Sequence, residues 1–168
     1  MNTYRPIKSA LLDEADDHCL FQNVYEHLAD LLGENWHPLE NIEQLSGTPQ
    51  TAKHIWYLWW FNAEVGGSGI SGWLVNHAPA ASVVIASHAA LKAANAVDAL
   101  ELLEAGFAPA RALDAPFLLS KEIAWFDQFR GSYKWPDFDA IDTASYDICA
   151  GPLSTIAATF IRDHRADL

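Results

Sequence analysis

The chain has 168 residues, 51% of them apolar and only 19% charged, with seven tryptophans and a formal charge of minus 12 at pH 7. A chain of this length buries roughly 70% of its unfolded surface, so one domain with a true core is expected and disorder is excluded. The sign of the charge excludes attraction to nucleic acid or to an anionic membrane and favours a basic partner.

Met1 to Ala10 carries Arg5, Pro6 and Lys8 with no apolar run behind them, and no stretch is long and apolar enough to span a bilayer. Elimination leaves a cytoplasmic protein. From Leu20, the residues Phe21, Val24, Tyr25, Leu28, Leu31 and Leu32 keep helical spacing within one arc of about 140°, which predicts an amphipathic helix. Asp13 and Asp17 would point into that arc, so the N-cap falls among Asp13, Asp16 and Asp17; Gly33 and Pro38 end the helix. Ser46 to Gln50 reads as a loop, and Thr51 leads into the aromatic stretch Ile55 to Phe61, a glycine cluster, and Gly72 to His77. After Pro79, Ala80 to Phe107 is rich in alanine and leucine, with Leu91, Ala94, Val97, Leu100 and Leu103 on one face. It is one long helix or two that abut, stopped by Gly106 and Pro109. Residues 109 to 119 read as loop, Ser120 caps a helix running to about Phe129, and Lys134 to Thr143 is a second loop. Pro152 and Ser154 open a last helix that reaches about His164. The pattern predicts an all-α, single-domain bundle over residues 1–168, of about five to seven helices with a Gly-rich turn in its middle.

The charge is unevenly spread. Residues 9 to 52 hold Asp13, Glu14, Asp16, Asp17, Glu26, Asp30, Glu34, Glu40 and Glu43 and no lysine or arginine, whereas residues 54 to 97 are neutral in sum. In the first long helix Glu26, Asp30 and Glu34 follow each other at i, i+4 steps opposite the apolar arc, and Asp16 projects the same way. Asp98, Glu101 and Glu104 repeat the pattern at i, i+3 steps. Each like-charge pair costs roughly 0.2 to 0.5 kcal/mol, a penalty that selection for folding alone would relieve with interleaved bases. The bland reading is a solvated face that keeps the protein soluble; the sharper one is a carboxylate array that imitates a phosphate backbone.

Catalytic and cofactor signals are sparse. Gly67-Ser68-Gly69-Ile70-Ser71-Gly72 matches the dinucleotide-binding glycine pattern, but that pattern needs a preceding strand, and the chain reads as helix after helix. No nucleophile elbow surrounds Ser68 or Ser71, and none of the seven histidines pairs with another at metal-ligand spacing. Glu34-Asn35-Trp36-His37 is a single Glu-x-x-His that Pro38 interrupts, and Asp137, Asp139 and Asp142 lack the glycine and terminal glutamate of a calcium loop. Cys19 and Cys149 read as free thiols. No catalytic residue, cofactor or metal is assigned. Trp56, Trp59 and Trp60, with Tyr57 and Phe61, are core by default, and some could line a dimer surface.

The run Glu64-Val65-Gly66-Gly67-Ser68-Gly69-Ile70-Ser71-Gly72-Trp73-Leu74-Val75-Asn76, with Ala89 to Ala105, Phe126-Asp127 and Tyr133, resembles a bacterial all-helical family. Its best-known member is an acidic, dimeric DNA-mimic protein that occupies the DNA-binding surface of a repressor. The resemblance covers roughly residues 54–150, and Gly69, Trp73 and Asn76 fit its Asn-Gly-Gly-aromatic, Gln-aromatic-aromatic and closing Asn pattern. Ile70 replaces the first aromatic and Gly72 stands at the Gln. The motif argues for fold, as a tight glycine entry into a helix. The charge map and the resemblance together predict a homodimer whose acids Asp16, Asp17, Glu26, Asp30, Glu34, Asp98, Glu101 and Glu104 bind the basic surface of a DNA-binding protein. Two alternatives stay open: an immunity or antitoxin-like inhibitor of a basic toxin, and a small enzyme that gathers His54, Glu64 and His77 in one pocket.

Overall fold

A computed structural model describes residues 3–33, 39–77, 81–112 and 138–168. Among them the chain is helical throughout, with α1 Ser9–Leu12, α2 Asp17–Leu32, α3 Gln50–His77, α4 Ala81–Ala93, α5 Val97–Ala112, α6 Asp139–Cys149 and α7 Pro152–Asp163. Short 3-10 turns lie at Leu39–Gln44 and Arg165–Asp167, and one isolated bridge joins Thr3 to Ser46. The expected all-α domain is what forms, with α3 at its centre: α2, α4, α5, α6 and α7 all pack on it.

Helix α2 begins where its polar residues require. Asp16 accepts the Cys19 N–H at 2.8 Å, which satisfies one of the donors that a helix leaves open at its start. Leu20, Phe21, Val24, Leu28, Leu31 and Leu32 are then buried along one face, and Gly33 closes the helix with positive φ. Trp56, Tyr57 and Phe61 join them in the core, and Trp56 donates its indole N–H to the Leu39 carbonyl at 3.0 Å. Trp59 and Trp60 are only half-buried.

The alanine-rich stretch is two abutting helices, and the break has a local cause. Asn95 takes φ 54°, the Asn95 N–H bonds the Lys92 carbonyl at 3.2 Å, and the Ala96 N–H reaches back to the Leu91 carbonyl at 2.9 Å. This is a Schellman closure, with asparagine in the left-handed position. Gly106 does not stop α5, which runs through it to Ala112; a Cβ there would lie 2.6 Å from Ile70 Cγ2, so the glycine serves close packing on α3. The loop expected over Lys134 to Thr143 is corrected from Asp139 on, because α6 starts there and uses its acids in the first turn, where the helix dipole favours them; residues 134–137 lie outside the described residues. The helix expected from Ser120 lies outside the described residues, as does most of the loop expected at 109 to 119.

The glycine run belongs to α3 and is helical except at Gly69, whose φ 73° and ψ 176° bend the helix sharply. The bend folds the halves 50–68 and 70–77 together. Phe61 and Trp73 stand twelve positions apart, yet their ring centroids are 5.5 Å apart; a straight helix would separate them by about 18 Å. At this bend the second half begins without a cap of its own, since glycine has no side chain. Asp142 of α6 fills the gap: its carboxylate accepts the Ser71 N–H at 2.9 Å and the Ser71 hydroxyl at 2.5 Å, all of it buried. A Cβ on Gly69 would lie 2.4 Å from Asp142 Cγ. The carboxylate therefore occupies the space in which an N-cap side chain would sit, and it faces the positive end of a helix.

Replacing Gly69 by alanine should therefore lower the unfolding free energy by roughly 3 kcal/mol or more, from backbone strain plus displacement of Asp142. Alanine at Gly67, which is helical, exposed and has nothing within 4 Å of a Cβ, should raise it by roughly 0.5 to 1 kcal/mol. Urea titrations followed by tryptophan fluorescence compare the pair; equal stability of Gly69→Ala and wild type would refute the trans-cap.

Candidate protein-binding surface

The acids of the N-terminal segment divide by what they touch. Asp13 pairs with Arg165 at 2.7 Å, and Asp17 pairs with Arg162 at 2.7 Å. The Arg162 guanidinium also reaches the Glu14 and Ala15 carbonyls at 3.4 and 3.2 Å, so it ties the start of α2 to α7. Asp16 is spent on its cap, and its Cys19 N–H partner holds the carboxyl below the usual range; the Arg162 hydrogen bond does the same for Asp17. Two of the bases that the sequence lacks in this segment thus arrive from the other end of the chain. Both termini share the arrangement: the Tyr4 hydroxyl and the Ile7 N–H each donate to the Leu168 carbonyl at 2.7 Å.

Further along α2 the acids have no basic partner. Glu26 and Asp30 are exposed on the outer face, one helical turn apart, and among the described residues neither meets a lysine, arginine or histidine. Glu34 lies outside the described residues. On α5, Asp98 and Glu101 are exposed and likewise without an ion pair among the described residues, while Glu104 meets His88 of α4 at 2.8 Å. The packed helix pairs include α2 with α3 and α5 with α3, but not α2 with α5. Of the acids that are described, Asp16, Asp17, Glu26 and Asp30 belong to α2 or its cap and Asp98, Glu101 and Glu104 to α5, so they lie on two separate helices.

Of the motif residues, Gly69 and Trp73 are buried and Asn76 is exposed. Gly69 makes the bend, and Trp73 is fully buried beside Phe61 with His77 against it at 4.1 Å. Asn76 donates to Glu64 Oε2 at 3.3 Å, closing the folded-back halves of α3, and His77 bonds the same oxygen at 3.0 Å. His54 is not with them: it lies about 15 Å up the helix from Glu64 by residue count, bonded to Gln50 at 3.0 Å and against Phe160. The space beside Gly69 in the glycine pattern is filled by the Asp142 carboxylate, and Asp137 lies outside the described residues. A cleft of about 550 Å³ opens between the start of α2 and the α6–α7 junction, lined by Asp16, Asp17, Asn62, Cys149, Ser154 and Thr155. Burial pushes the Cys149 thiol up to about 12, so it stays protonated at neutral pH and is a poor nucleophile.

Sequence reasoning missed two arrangements. The Asp142–Ser71 cap joins residues 71 positions apart, and no local signal announces such a pair. The other is a relay in which the Trp59 indole N–H donates to Gln22 Oε1 at 2.9 Å and Gln22 Nε2 donates to Glu26 Oε1 at 2.8 Å. Half of it was visible, because Gln22 and Glu26 stand at i, i+4.

An all-helical domain bent at a glycine, with exposed acids on its helices, defines among the described residues a class of small acidic helical proteins. Within that class, the family model described as DMP19-like protein matches residues 46–164, and the chain belongs to this family. No curated protein and no solved structure matches the chain. The matched stretch begins after α2, so it includes the bend and α5 but not Glu26 and Asp30.

His54 supplies a pH test of the packing at the far end of α3. Burial lowers its pKa below the ordinary value of 6.5, outweighing Glu43, which pulls the other way, with His164 adding to the lowering. The unfolded chain then binds the proton more readily than the folded one, so the stability conferred by neutral His54 is present above about pH 6.5 and lost as the pH falls. Between about pH 7.5 and 5.5 the urea midpoint of wild type should drop more than that of His54→Gln. Parallel curves for the two proteins would show that His54 does not carry the effect.

Proposed function

We propose that this protein is a non-catalytic acidic binding protein that occupies the basic surface of a DNA-binding protein in the manner of a DNA mimic. Membership of the DMP19-like protein family supports the reading. The observation that carries it is the set of exposed carboxylates that have no ion pair among the described residues: Glu26 and Asp30 on α2, Asp98 and Glu101 on α5. Asp16 and Asp17 contribute field but are engaged within the chain. Four residues of helix advance about 6 Å, so Glu26 and Asp30 repeat a negative charge along α2 at a spacing of the same order as neighbouring phosphates on one DNA strand. The formal charge of minus 12 adds a long-range term that speeds encounter with a positive surface and fades with salt.

The test is affinity capture at low salt from extracts of the source cell, with elution by duplex DNA and by a salt ramp. Captured partners should be DNA-binding proteins released by DNA, and a variant with Glu26, Asp30, Asp98 and Glu101 changed to lysine should bind them at least roughly tenfold more weakly. Binding that is indifferent to salt, or that survives the charge reversal, would sink the mimic reading.

A further inference from the structure

The Trp59–Gln22–Glu26 relay fixes a carboxylate that an exposed glutamate would otherwise swing freely. Gln22 Nε2 holds Glu26 Oε1 at 2.8 Å, and Gln22 is itself held by the Trp59 indole N–H at 2.9 Å. Glu26 Oε2 meets no donor among the described residues. Beside it Tyr25 lies flat on Trp59, with ring centroids 3.5 Å apart and planes 4° apart, and Trp60 meets the Trp59 ring edge-on at 5.2 Å. The indole is therefore locked in orientation, while Gln22, Tyr25 and Trp59 all stay partly exposed. Asp30 follows Glu26 by one turn on the same outer face.

An aromatic ring held rigid next to an oriented carboxylate is complementary to one side chain in particular. A guanidinium is planar and weakly hydrated, so it can stack on a ring while its N–H fork bonds a carboxylate oxygen; an ammonium is compact, strongly hydrated and offers no plane. We infer that Trp59 and Glu26 form an arginine-reading site, with Tyr25, itself stacked on Trp59 and Trp56, backing the indole, Gln22 as the positioning residue and Asp30 as a second attraction for the same cation. This rests on the reading that the partner is basic, and it adds which basic side chain is recognised.

Two short peptides of equal length and charge, one alternating arginine with glycine and the other lysine with glycine, are titrated against the full chain by calorimetry at low salt. The arginine peptide should bind about fivefold more tightly, a preference of the size expected for one stacked cation. That ratio should fall to about one in Glu26→Gln and in Trp59→Leu, with circular dichroism confirming that both variants remain helical; Gln22→Ala should reduce it in between. Equal binding of the two peptides to wild type overturns the arginine site and leaves the acidic-surface reading intact, as does a ratio unchanged in the Glu26 and Trp59 variants. Absence of binding by either peptide overturns both.

Discussion

The carboxylate of Asp142 at the bend in α3 is the contact on which the architecture depends. It serves as the missing side chain of a glycine, and it lets one helix turn back on itself without leaving the buried Ser71 N–H unpaired. Because α3 is the element against which α2, α4, α5, α6 and α7 pack, the angle at Gly69 sets where each of them lies. Trp73 reaches Phe61, and Asn76 and His77 reach Glu64, only in the bent form. The cap also links distant parts of the chain, since α6 must be in place for the second half of α3 to start. A polar contact of this kind specifies one arrangement among the many that a leucine- and alanine-rich bundle could adopt.

The distribution of bases follows a similar economy. Arginines 162 and 165 come from the last helical turns and are placed on Asp17 and Asp13, where they fasten the chain ends together. Lys53 is likewise committed, to Glu43. The outer turns of α2 and the first turns of α5 receive no such cation among the described residues, although each repels its own neighbours along the helix. Among the described residues the contrast lies within a single helix: its start meets Arg162 and its middle meets no base. A general excess of acid would not produce that contrast.

Much of the fold could be read from local pattern. The arc of Leu20 to Leu32, the aspartate cap of α2 and the Pro152 start of α7 are each encoded within a few residues of where they act. The errors came where a residue has a second use. Gly106 suggested a helix end and is a packing contact against Ile70. Asp139 and Asp142 suggested a loop because acids next to Pro136 resemble turn chemistry, yet one lies in the first turn of α6 and the other caps α3. The motif Gly69, Trp73 and Asn76 pointed rightly to structure, but its explanation required a partner 71 residues away from Ser71. For the surface, sequence displayed all the carboxylates and could not sort them, because Arg162 and Arg165 reach Asp17 and Asp13 only through the packing of α7 on α2.

The family match and the acidic face of α2 divide the molecule in a way that bears on how its function is carried. Residues 46–164 hold the bend, its cap and the core helices, whereas Glu26 and Asp30 ride on a helix that precedes them. That helix is attached by its apolar face and by Arg162, and its outer turns contribute nothing to the cap or to the Trp73 contacts. Substitutions at Glu26 or Asp30 therefore change the field at little cost to the core, while substitutions at Gly69 or Asp142 change the core itself. The charge of α2 can be changed without disturbing the bend in α3, since the bend and the charges on α2 share no side chain.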